Sequence, residues 1–123
     1  SPRAPVFIAW QTGFGPIRSL IEHAMALETD ESMRLLWITG KQQDRYQENL
    51  CRSWQDAFDD FFYIPVNNDE RGSGLSPELI EERLDIRAED LPDHDFYVAG
   101  NAALIKACRE LLPSNQLKTM TIG

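Results

Sequence analysis

The sequence is short of cysteine, of histidine and of positive charge, and each shortage closes off a class of function. Of 123 residues only two are cysteines, Cys51 and Cys108, and two are histidines. Neither cysteine has a second Cys or His at metal-ligand spacing, so a zinc site is not expected and reduced, packed thiols are. Basic residues number 12 against 20 acidic ones, a net charge of −8. That field repels a polyphosphate backbone, and no basic stripe with interleaved aromatics offsets it, so nucleic acid is not an expected partner. A small anionic ligand stays open, because backbone amides and one or two local cations act at short range. No apolar run nears the roughly 20 residues of a membrane span, and no basic start with a long apolar centre marks a signal peptide. The expectation is a cytoplasmic protein.

Several catalytic signatures are missing as well. No G-x-S-x-G elbow occurs, and His23 and His94 have no evident Ser or Cys partner, which leaves hydrolase chemistry unsupported. The G-x-G-x-x-G dinucleotide fingerprint fails because Arg18 stands at the third glycine position counted from Gly13. A Walker lysine fails too, since Gly40-Lys41 is followed by Gln42 where Ser or Thr is needed.

What is present is an alternation of short apolar runs and helical patterns. Apolar residues make up 42% of the chain and charged ones 26%, the balance of an ordinary folded protein. Val6–Trp10 reads as a strand buried on both faces, and Ile17, Leu20, Ile21 and Ala24 follow Pro16 at helical spacing. Leu35–Thr39 is a second such run, closed by Gly40, with Tyr46, Leu50, Trp54 and Phe58 marking one face of the next helix. Phe61–Val66 is a third strand, assigned to a sheet edge because Pro65 has no N–H for a ladder bond. Ser76-Pro77-Glu78 opens a short helix through about Leu84 with a cap, a first-position proline and a first-turn acid. The acidic stretch Glu81–Asp95 reads as a solvated helix end and loop. Phe96–Ala99 is a fourth strand, Leu104, Ala107, Cys108 and Leu111 one helical face, and Leu117–Ile122 a last strand. Strands separated by helices pair in parallel through right-handed crossovers, so the expected class is a doubly wound α/β sheet.

In such sheets ligands bind beyond the carboxyl ends of the strands, where the winding reverses. The candidate loops are Gln11–Gly15, Gly40–Arg45, Asn67–Gly74 and Gly100–Asn101, and each contains glycine. Glycine there serves either close approach of a ligand or tight packing of a short turn. The first loop adds a helix N-terminus, whose amides and dipole suit a phosphate, and Arg18 as a nearby charge. Taken alone, Arg18 is as readily an ordinary surface arginine.

In order along the chain, "QTGFGPIRSLIEHA", "LLWITGKQQDRYQENL", "FFYIPV" and "DFYVAGNAALIKACRELL" resemble the NAD(P)-binding domain of the ferredoxin–NADP reductase superfamily. There the pieces are a G-T-G-x-x-P turn before "R-S-L", a strand closed by glycine, a strand ending in "P-V", and a Y-V-C-G-P-like turn. The resemblance implies a five-stranded parallel sheet of order 3-2-1-4-5, Rossmann-like in its nucleotide binding, with the first and fourth turns facing each other. It implies that residues 1–123 form a single NAD(P)-binding domain, the C-terminal part of a longer flavoprotein reductase whose other domain carries FAD or FMN.

By position, the resemblance assigns cofactor contacts to Gln11, Thr12, Gly13, Phe14, Gly15, Pro16 and Arg18 around the pyrophosphate and nicotinamide. It assigns Gly40, Lys41, Arg45, Tyr46 and Asn67 to the adenosine half, and Ala99, Gly100 and Asn101 to the opposite wall. Asn67-Asn68 stands where phosphate-preferring members carry Ser-Arg, which leans the cofactor toward NADH, while Lys41, Arg45 or Arg71 offers another route to a 2′-phosphate. No catalytic acid or base is implied, because hydride transfer needs two cofactors held in position. The electron acceptor is left open. Three positions depart from the pattern: Gln11 for a glycine, Ala99 for a frequent cysteine and Asn101 for a proline. A degenerate fold acting as an interaction or regulatory module, and a different nucleotide at the same crevice, are the alternatives.

Overall fold

A computed structural model describes residues 3–27, 32–40, 46–67 and 76–122. Five parallel strands form one sheet of order β3-β2-β1-β4-β5, with β1 Ala4–Trp10, β2 Met33–Thr39, β3 Phe61–Asn67, β4 His94–Gly100 and β5 Leu117–Thr121. The connecting helices are α1 Phe14–Ala26, α2 Glu48–Ala57, α3 Pro77–Leu84 and α4 Ala102–Leu111. This is the doubly wound order expected from the sequence. Pro65 does lie on an edge strand, and its missing N–H therefore costs the sheet no central ladder bond.

Period-two alternation divides the central strands between two apolar layers. Phe7, Leu35, Trp37, Phe61 and Tyr63 meet Phe14, Ile17 and Ile21 of α1 and Cys51 and Trp54 of α2. Val6, Ile8, Leu36, Ile38, Phe96 and Val98 meet Ile80 and Leu84 of α3 and Leu104, Ile105, Ala107 and Cys108 of α4. Each fully buried Phe, Leu or Ile contributes about 2 kcal/mol of transfer free energy, so these two layers are what hold the helices to the sheet. The winding sets α1 over β1 and β4 and α2 over β3 on one face of the sheet, and the cover on that face thins toward β5. Tyr97 there is half-buried and Met120 is exposed.

Three local expectations shift. Helix α2 ends at Ala57, and Phe58 takes an extended backbone (φ −122, ψ 121), so Tyr46 and Phe58 flank the helix rather than sit in it. The acidic stretch expected to be a loop winds Ala88–Asp93 into a 3-10 turn. Its Pro92 carbonyl accepts from both Arg3 Nε (3.2 Å) and Gln116 Nε2 (3.0 Å), bonds made by residues distant in sequence. Helix α1 starts at Phe14, two residues before Pro16, which still falls within the first turn.

Candidate functional site

The first turn is built around one strained residue. After β1, Gln11–Gly13 makes a single 3-10 turn, and Gln11 has φ 53, a left-handed backbone that favours glycine. The departure noted in the sequence is therefore a backbone matter: glycine belongs at this position for its conformation. The Gln11 carbonyl accepts two donors, the Phe14 amide and the indole Nε1 of Trp37 at 3.0 Å. Phe14 lies with its ring fully buried, stacked on Trp37 at 4.2 Å and 12°. Its side chain is core and the whole residue is buried, which leaves Phe14 no surface for the cofactor contact assigned to it. Pro16 has no N–H and Phe14 has given its own to Gln11, so Gly15 presents the amide at the anion-attracting end of α1.

The facing wall comes from the end of β4. Asn101 caps α4, its Oδ1 accepting from the Leu104 amide at 2.9 Å, so the residue standing in place of proline starts the helix by a side-chain bond. Gly13 and Gly100 are needed for packing. A Cβ at Gly13 would stand 2.3 Å from the carbonyl oxygen of Ala99, and one at Gly100 would meet Leu104 Cδ2 at 2.7 Å and Trp10 Cβ at 2.8 Å. Gly15 differs, with no atom within 4 Å of its would-be Cβ. The two turns thus touch at the base of the crevice and leave space above Gly15. Gly100 also accepts from the Ile122 amide at 2.8 Å, which ties the end of β5 to the same wall.

The outer positions are looser. Thr12 is exposed beside Gly13. Arg18 pairs with Glu22 at 3.3 Å along the surface of α1, both side chains well exposed. Tyr46 is 57% exposed, its ring edge-on to Trp37 at 5.6 Å and to Phe14 at 6.2 Å, beside the end of β2. Gly40 and Asn67 follow β2 and β3 at the same end of the sheet. Lys41, Arg45, Asn68 and Arg71 lie outside the described residues. His94 begins β4 at the opposite end of the strand from the crevice. Cys51 and Cys108 are buried, and burial pushes both thiols up to about 12, with Glu48 adding to the shift at Cys51. Neither serves as a nucleophile near neutral pH. Among the described residues no cluster of His, Cys, Asp or Glu fits a metal ion, and no helix is long and apolar enough to cross a membrane.

Two features escaped the sequence reading. One is Trp37, whose signal was an indole N–H between apolar neighbours Leu35, Leu36 and Ile38, a donor that must find a partner when buried. The other is an apolar groove of about 280 Å³ adjoining the crevice at Pro16 and Ala99 and running past Leu20, Tyr97 and Met120. Leu20 is 39% and Met120 51% exposed along it.

The model of the oxidoreductase NAD-binding domain matches residues 7–110. Protein RfbI of Salmonella typhimurium is 26% identical over 111 residues, covering 89% of this chain and 33% of that protein. An NAD(P)H-flavin reductase of Aliivibrio fischeri is 26% identical over 110 residues, covering 89% and 47%. The chain thus spans a third to about half the length of these curated relatives. The ferredoxin-NADP+ reductase of Plasmodium falciparum superposes with a TM-score of 0.78 at 12% identity, over 98% of this chain and 52% of that one, a likeness of fold.

Proposed function

The chain belongs to the oxidoreductase NAD-binding domain family, and on that premise we propose that it is the nucleotide-holding, C-terminal part of a flavin-dependent reductase. The observation that carries this reading is the crevice made where Gly13 meets Ala99 beneath the N-terminus of α1. Its residues fit a dinucleotide: the amide end of α1 offers charge complementarity to a pyrophosphate, and the open side of Gly15 leaves room for it. When bound, the nicotinamide supplies a hydride to a flavin, FAD or FMN, on a part of the polypeptide beyond this chain.

In this reading Thr12, Gly13 and Gly15 border the pyrophosphate and nicotinamide with backbone groups. Pro16 closes that side, and Arg18 turns from its exposed, weak pair with Glu22 toward the phosphates. Ala99, Gly100 and Asn101 form the nicotinamide wall, where alanine keeps a small apolar surface. Gly40, Lys41, Arg45, Tyr46 and Asn67 take the adenosine half, with an amide rather than an arginine near the ribose, which favours NADH over NADPH. The apolar groove at Leu20 and Met120 seats the flavin-bearing part, because it opens directly off the nicotinamide end. The reading also makes the parent enzyme cytoplasmic and electron-transferring, consistent with two buried unpaired thiols.

Rapid mixing of the full-length flavin-loaded protein with NADH and with NADPH tests it. Bleaching of the flavin absorbance is expected with at least one nucleotide, faster with NADH. A protein that holds flavin and is bleached by neither refutes the proposal and favours a degenerate interaction module.

A further inference from the structure

We propose that Trp37 is a positioning residue that locks the first turn in its binding conformation, an inference that rests on the crevice being the nucleotide site. Trp37 lies on β2, one strand away from the turn, and is fully buried. It is in contact with both halves of the site. Its indole N–H bonds the Gln11 carbonyl, its face stacks on Phe14 at the start of α1, and Tyr46 of the following loop stands against it edge-on.

The bond to Gln11 fixes a peptide plane. The 11–12 peptide is trans, as no cis bond occurs among the described residues, so its C=O and N–H point in opposite directions. Holding the Gln11 oxygen inward against Trp37 therefore aims the Thr12 N–H outward, on the exposed side where the nucleotide binds. The conformation needs holding because Gln11 pays a left-handed backbone for it, and an L residue left to itself relaxes from φ 53. The indole bond offsets that strain, while the Phe14 stack keeps the ring in place to make it. Trp37 thus touches no ligand and acts through the amide it orients.

A double-substitution cycle in the full-length flavin-loaded protein tests this. Trp37→Phe keeps a stacking ring and deletes the donor. One net hydrogen bond corresponds to about five-fold in a binding constant, so the KM for the nicotinamide nucleotide is expected to rise about that much while kcat stays within two-fold. In a Gln11→Gly background the left-handed turn carries no strain, and Trp37→Phe is expected to change KM less than two-fold. A void in the core would act equally in both backgrounds, so equal effects, or no change in KM in either, overturn the proposal. A nucleotide-independent reading accompanies the kinetics: in nitrogen-15 NMR the Thr12 amide should shift with Trp37→Phe and stay near its parent position when Gln11→Gly is added. Failure of the parent to bind either nucleotide refutes the function alone, and the Thr12 shift still decides the latch.

Discussion

Replacing Gly13 and Gly15 by alanine, one at a time, should move stability in opposite directions. At Gly13 the new methyl would lie 2.3 Å from the Ala99 carbonyl oxygen and 2.8 Å from its carbon. That is roughly 1 Å inside normal contact, and the obstructing atoms are backbone, so no side-chain rotation relieves them. Either the end of β4 or the start of α1 must move, and both are anchored in the buried layer. Overpacking of this kind costs typically 1–3 kcal/mol, and a backbone obstruction belongs at the upper end, about 3 kcal/mol. For a chain of 123 residues this lowers the melting temperature by roughly 10 °C. At Gly15 the methyl meets nothing within 4 Å and joins a helix, where alanine is better than glycine by about 0.5–1 kcal/mol, or a rise of roughly 2–4 °C. Thermal and urea unfolding of both variants by circular dichroism is the assay. Gly13→Ala melting within a degree of the parent, or both variants shifting the same way, refutes the packing argument. The same pair separates packing from binding, because Gly15→Ala should weaken nucleotide binding while raising stability.

Other outcomes follow from single contacts. Asn101→Ala removes the α4 cap and should cost about 1 kcal/mol in urea unfolding, whereas Asn101→Ser should lose much less. Cys51 and Cys108 should resist a thiol reagent at pH 8 in the folded protein and react at the rate of unfolding. Their folded values near 12 exceed the ordinary 9, so below pH 9 they leave stability unchanged; above it the unfolded chain ionises first. Stability should then fall with rising pH, each thiol contributing up to tenfold per unit in the folding constant, and a Cys108→Ala variant should show a shallower decline. Leu20→Asp with Met120→Asp, placed in the apolar groove, should leave nucleotide affinity near the parent value and slow flavin bleaching at least tenfold, as read by rapid mixing.

The sheet was legible from Val6–Trp10, Leu35–Thr39 and Pro65 because burial on two faces and the loss of one N–H leave marks in a linear sequence. Its order also rested on the likeness of "QTGFGPIRSL" and its successors to a known family. The site was legible only as a set of loops. Gly13, Gly15 and Gly100 look alike in the chain, yet Gly13 is demanded by the Ala99 backbone and Gly100 by the Leu104 and Trp10 side chains, brought together where β1 and β4 lie side by side, and Gly15 by neither. Phe14 sits between two glycines and reads as a rim residue, but α1 begins there and turns its ring into the core. The strain at Gln11 was likewise invisible, since φ depends on how the turn closes and not on residue type alone.

The contact between Gly13 and the Ala99 carbonyl also decides where this protein can bend. With no space at the base of the crevice, its two walls behave as one rigid piece, and a nucleotide enters without prying them apart. In the proposed reductase, any hinge that brings nicotinamide to flavin must therefore lie at the junction with the flavin-bearing part. This chain then swings as a stiff lever whose grip is preset, so variants that loosen the junction should change how often the two rings meet and leave the hold on the nucleotide intact.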